Sequence, residues 1–253
     1  MKLLTERRGA VTILTLNRPE VHNCVDGETA DALGAAIEGF ADDAGANVLV
    51  VTGAGEAAFC SGADLKNIQT LMQHAYVDRA GPMGFARLDP RKPVIAAVNG
   101  YCFAGGFELA CWCDFRIAAE NAELGALNRR WGVPFTDGGT QRFARIAGMG
   151  NALYLIESGI RIDARRALAM GLVQEVVPRG GALARALELA ERIAGYPQAS
   201  IRADREATIR GFGTPLADGL RLEAELCLPT ASEAEMAVGL ARFVSGDRPE
   251  APR

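Results

Sequence analysis

The first half of the chain alternates between two kinds of apolar pattern. Val11–Leu16 reads as a strand, closed at Asn17-Arg18-Pro19 because proline has no N–H with which to continue a ladder. Residues 28–40 place Ala32, Leu33, Ala36, Ile37 and Phe40 at helical spacing. Residues 48–52 form an unbroken apolar run that stops at Gly53-Ala54-Gly55, which suits a strand buried on both faces. Val94–Val98 repeats the pattern, and 115–118 is a shorter fourth strand. This alternation predicts an α/β fold of parallel units. Residues 67–92 break the rhythm with Gly81-Pro82 and Asp89-Pro90, and predict a mobile helix and loop.

From about residue 138 the pattern turns helical, beginning with 139–146. Asp163 reads as an N-cap and Gly171 as a stop, with a helix between them. Residues 172–177, ended by Pro178, predict one last strand. Helices are then expected over Ala182–Ala194, 199–210, 216–226 and 232–244, the last with capping-box spacing at Ser232 and Glu235. The polar tail 246–253 is expected to fray. The division expected is an α/β core over 1–195 and a helical region over 196–253.

Composition narrows the classes. A chain of 253 residues, 49% hydrophobic and 23% charged, is within reach of one large domain, or of one domain plus a small appendage. The net charge of −4 is spread over interspersed residues, so no basic stripe predicts a nucleic-acid partner. No apolar run reaches membrane-span length, and the charged start Met1–Arg8 lacks the apolar segment of a signal peptide. A cytoplasmic protein with no membrane partner is expected. Cys111 and Cys113 are the only close pair among the six cysteines, and His22 and His74 lie far from them. Reduced, buried thiols and no metal are the expectation.

Two segments run from a buried strand through glycine toward a helix. One is Phe59-Cys-Ser-Gly-Ala-Asp-Leu-Lys66; the other is Asn99-Gly-Tyr-Cys-Phe-Ala-Gly-Gly-Phe-Glu-Leu-Ala110. The first N–H groups of a helix have no intrahelical partner, so two such ends placed together make an anion hole. The same glycines also suit close helix–strand packing and nothing more.

These two segments resemble the signature loops of the enoyl-CoA hydratase/isomerase, or crotonase, superfamily. Leu16-Asn17-Arg18-Pro19, Asp137-Gly-Gly-Thr-Gln-Arg142 and Ala169-Met-Gly-Leu-Val-Gln-Glu-Val-Val-Pro178 are similar to further family motifs, in order along nearly the whole chain. The resemblance implies a crotonase-like fold of repeated β-β-α turns with a C-terminal helical trimerisation region. It implies an acyl-CoA thioester as substrate, with coenzyme A part of that substrate and no separate cofactor. A homotrimer or dimer of trimers is implied, and so is an oxyanion hole from the N–H groups of Ala63 and Gly105. Two preorganised donors on the thioester oxygen stabilise an enolate.

Glu108 sits in the first turn after Gly105, where it complements the helix dipole or serves catalysis; it matches one of the two glutamates of the family's hydratases. Asn128 stands where those hydratases carry the second, and an amide cannot exchange a proton at neutral pH. Asp137 is similar in position to a catalytic aspartate of dienoyl-CoA isomerases and chlorobenzoyl-CoA dehalogenases, and is equally placed to cap the next helix. Lys66 matches a position near the nucleotide end of coenzyme A, or is a solvated lysine. Asp64 reads as a cap. Trp131 and Phe135 line an acyl pocket or fill core. Phe243 matches an aromatic at the adenine end, with Arg248 the nearest basic candidate behind it. The readings that remain are enoyl-CoA hydration or isomerisation, acyl-CoA hydrolysis or another substitution led by Asp137, and acyl-CoA binding with little turnover.

Overall fold

The computed structural model describes residues 1–72, 80–232 and 234–247. The chain divides into Met1–Glu191 and Arg192–Arg253. In the first unit, β1 (Leu3–Arg8) and β2 (Val11–Leu16) form an antiparallel hairpin. Helix α1 (Gly27–Asp42) follows, capped by the Asp26 carboxylate on Thr29 N–H. Next come β3 (Val48–Gly53), β4 (Ala58–Cys60) and the short α2 (Ile68–Met72). The same order returns as β5 (Val94–Val98), β6 (Tyr101–Phe103) and α3 (Gly105–Trp112). A third turn supplies β7 (Phe115–Ala119), β8 (Glu123–Gly125) and a 3-10 turn over Leu127–Trp131. Then follow α4 (Gly139–Ala147), α5 (Met149–Ser158), β9 (Arg161–Asp163), α6 (Ala164–Ala169), β10 (Glu175–Val177) and α7 (Ala182–Ala194).

Each β-β-α turn contributes one strand to each of two sheets. The large sheet runs β1-β2-β3-β5-β7-β10, parallel from β2 onward; the small one runs β4-β6-β8-β9. Every residue of β3 and β5 is buried, which is why those strands read as continuous apolar runs. A short strand of three residues gives no periodic signal, so β4, β6, β8 and β9 were not legible in advance. The edge strand β1 and helix α5 were also unexpected. In the 67–92 interval, residues 73–79, with His74, lie outside the described residues. The loop after them is not a surface excursion: residues 80–86 are buried, with Met83 and Phe85 packed in the core.

The second unit holds α8 (Gln198–Gly211), α9 (Leu216–Cys227) and α10 (Ala234–Ser245). The Glu235 carboxylate accepts the Ala199 N–H at 2.9 Å, at the start of α8. The expected capping-box partner, the Ser232 side chain, lies outside the described residues, as does Arg248. No helix among the described residues is long and apolar enough to cross a membrane.

Candidate active site

The turn after β4 runs beside Val25. Val25 N–H donates to Gly62 O at 2.9 Å, and Asp64 N–H donates to Val25 O at 2.7 Å. That is a one-residue parallel bridge between Val25 and Ala63. In this arrangement the bridged residue turns its own N–H away from its partner. Among the described residues the Ala63 N–H has no backbone partner, and Ala63 lines a cavity of about 210 Å³. Sequence reasoning expected a helix end here. The chain makes a 3-10 turn over Leu65–Asn67, capped by Asp64 as anticipated, and this runs directly into α2.

The second turn is tighter. Ala104 has φ 50° and ψ −122°, a conformation unusual for any residue with a Cβ. Such strain costs about 1–3 kcal/mol and is held only where the surroundings over-determine it. Here it swings the chain from β6 directly into α3, so Gly105 leads the helix with an N–H that has no intrahelical partner. The two turns touch. A Cβ on Gly62 would lie 2.8 Å from the Gly105 nitrogen, and a Cβ on Gly106 would collide with the Cys60 carbonyl.

Glu108 and Asp137 line the same cavity, and each is only 2% exposed. Glu108 Oε1 accepts the N–H of Asp137 at 3.0 Å and of Gly139 at 2.7 Å. Glu108 therefore caps the N-terminus of α4, a different helix from its own. Oε2 takes no hydrogen bond from the described residues. Burial, and then the neighbouring Asp137 charge, push the Glu108 carboxyl up to about 8. Burial also raises Asp137. The Asp137 charge adds to the larger effect of burial on Glu108.

Asp137 is not a helix cap. The N-cap of α4 is Gly138, with no side-chain cap bond. Asp137 Oδ1 instead accepts the Met83 N–H at 3.0 Å, tying the buried 80–86 loop to the site. Met83 also lines the cavity, and its thioether occupies the space a Cβ on Gly105 would need. Sequence reasoning passed over Met83. The signal available was the pair of glycines around it, Gly81 and Gly84, both with positive φ.

Asn128 lines the cavity as well and is 6% exposed. Its Nδ2 donates to Val133 O at 2.8 Å, and its buried Oδ1 has no partner among the described residues. The amide closes the 3-10 turn that carries Trp131, which lines the cavity while 70% exposed. Phe135, partly buried, packs edge-to-face on the core residue Phe143 at 5.3 Å. Lys66 stands exposed one residue beyond Leu65, which lines the cavity. Phe243 is an exposed residue of α10 in the second unit. The exposed His22 meets Tyr101 edge-to-face at 5.8 Å. Cys60 and Cys102 are fully buried, and burial pushes both thiols up, Cys60 to about 12, so neither supplies a thiolate at neutral pH.

The complete chain resembles solved structures of this architecture. An enoyl-CoA hydratase from Mycobacterium tuberculosis H37Rv matches with a TM-score of 0.91 and 30% identity, over 98% of both chains. The fold is therefore that of the crotonase-fold α/β enzymes. Among sequences, the short-chain-enoyl-CoA hydratase of Clostridium acetobutylicum is 34% identical over 88% of this chain and 87% of its own. The crotonyl-CoA hydratase of Syntrophomonas wolfei is 34% identical over 92% of each. The sequence model of the family described as enoyl-CoA hydratase/isomerase matches residues 6–250. The chain belongs to the enoyl-CoA hydratase/isomerase family.

Proposed function

We propose that the protein binds an acyl-coenzyme A thioester and works through its enolate, hydrating an enoyl-CoA or moving its double bond. The observation that carries this reading is one cavity lined by Ala63, Gly105, Glu108 and Asp137. The Ala63 and Gly105 N–H groups hold the thioester oxygen as charge develops there. Glu108, protonated at neutral pH, and the Asp137 carboxylate divide proton transfer between them, as two carboxyl groups of separated affinity do. Trp131 and Asn128 border the acyl group. Lys66 is proposed to meet the nucleotide end of coenzyme A and Phe243 the adenine end of a neighbouring subunit's coenzyme A, and no cofactor beyond the coenzyme A of the substrate is proposed. The exposed Met236, Leu240, Phe243 and Val244 of α10 suit a homotrimer or a dimer of trimers, which light scattering at micromolar concentration will read.

The test is α-proton exchange of butyryl-CoA in heavy water, followed by a panel of enoyl-CoA esters. Exchange with loss of enoyl absorbance supports the reading. Release of free thiol would mark hydrolysis led by Asp137, and binding with neither would mark an acyl-CoA-binding homologue.

Asn128→Glu is expected to give no gain in water addition. An ionised carboxylate cannot donate to Val133 O, and it would face Glu108 and Asp137 across the same cavity. Turnover of crotonyl-CoA equal to or below that of the unaltered protein, with a lower melting temperature, is the expected result. A gain would show that the cavity is otherwise arranged for two-glutamate hydration.

A further inference from the structure

The motif Leu16-Asn17-Arg18-Pro19 has no part in the cavity, yet Arg18 is built into a buried ionic cluster beside it. Its side chain is 12% exposed. Nη1 donates to Cys24 O at 2.8 Å and lies 3.4 Å from Asp26 Oδ2. Nη2 donates to Asp64 Oδ2 at 3.0 Å. Cys24 and Asp26 flank Val25, and Asp64 follows Ala63. One planar guanidinium therefore holds both segments of the Val25–Ala63 bridge, at positions immediately beside the paired residues. Lys, with a single point charge, could not span three acceptors on two segments.

The rest of the cluster keeps the guanidinium in place. Asn23, 1% exposed, accepts the Arg18 N–H with Oδ1 and donates from Nδ2 to Ala54 O and Ala58 O. Lys2 Nζ holds Asp26 Oδ2 at 2.8 Å, and Asn67 Nδ2 holds Asp64 Oδ2 at 3.0 Å. Burial acts to raise Asp64, but the bonds from Asn67 and Arg18 outweigh it and hold the carboxyl below its ordinary value. Asp64 is thus an anion at neutral pH, and the pair is charged on both sides.

We infer that Arg18 is a positioning residue that fixes the direction of the Ala63 N–H by clamping the two segments of its bridge. The inference rests on the reading of Ala63 as an oxyanion donor. A donor displaced by about 1 Å can lose about a hundred-fold in rate with little change in ground-state binding. Arg18→Met is therefore expected to lower kcat about ten- to a hundred-fold while the affinity for butyryl-CoA stays within about two-fold.

Acetoacetyl-CoA gives a readout that a purely structural role would not move, because its enolate absorbs in the near ultraviolet. The unaltered protein should raise that band on binding, and folded Arg18→Met should bind the ester without it. If the unaltered protein shows no band and no α-proton exchange, the oxyanion reading itself fails. If it shows both and Arg18→Met keeps the full band and kcat, with only a lower melting temperature, the positioning role is overturned. Should Arg18→Met not fold, Arg18→Lys decides: a weakened band with retained binding supports the clamp, and an unchanged band refutes it.

Discussion

Glu108→Gln should lose about a hundred-fold or more in turnover, the usual scale for a positioned proton-transfer group, while keeping its fold. Oε1 accepts the Asp137 and Gly139 N–H groups, and a glutamine oxygen can accept both in the same way. The cap on α4 survives. What is lost is the exchangeable carboxyl proton. The expected result is a fall in kcat with butyryl-CoA affinity unchanged. Full activity in Glu108→Gln would reduce Glu108 to a helix cap and leave Asp137 and water to move protons.

The same substitution makes a prediction about stability. Glu108 titrates at about 8 in the folded protein, against 4.5 for an ordinary glutamate. The folded state therefore holds this proton more tightly than the unfolded chain. Its contribution to stability is complete below the unfolded value and is lost as pH rises through the folded one. Glutamine has no such dependence. The unfolding free energy of Glu108→Gln, relative to the unaltered protein, should rise between about pH 5 and about pH 9, on the order of a few kcal/mol at the upper end, and its relative melting temperature should rise with it. Other titrating groups occur in both proteins and largely cancel. A difference independent of pH would mean that Glu108 is ionised throughout.

The buried long strands and most of the helices announced themselves in the sequence because burial imposes a period. Val48–Gly53 and Val94–Val98 are apolar throughout since both faces are covered, and Ala182–Ala194 carries its stripe at helical spacing. The cavity was legible to the extent that strand, glycine and helix stood in order, at Gly105 and Glu108. The geometry that sets the Ala63 N–H was not. It depends on a single-residue bridge to Val25, a non-local contact with no periodic trace. Asp137 shows the same limit from the other side. An aspartate before a helix reads as a cap, and only the tertiary fold brings Met83 N–H to its carboxylate and Glu108 to the helix end. Local propensity named a plausible bond, and long-range packing supplied a different one.

Gly62→Ala should lose about a hundred-fold in turnover although it adds one methyl group outside the carboxyl pair. Gly62 has φ +96°, which a side chain strongly disfavours. Its Cβ would lie 2.8 Å from the Gly105 nitrogen and 3.0 Å from the Ala104 Cβ. Neither is the end of a flexible side chain, so one turn must shift against the other. The Ala63 and Gly105 donors ride on those two turns, and a displacement of about 1 Å is enough for a loss of this size. Gly9→Ala is the control for strain alone: its φ is +56°, and a Cβ there meets nothing within 4 Å. Both variants should be less stable, by about 1–2 kcal/mol for the left-handed conformation alone, and melt lower accordingly. Only Gly62→Ala should lose kcat and the enolate band of bound acetoacetyl-CoA, with both assayed well below their melting temperatures. If the two variants turn over alike, the spacing between these turns does not govern the chemistry, and the paired-donor reading of Ala63 and Gly105 fails with it.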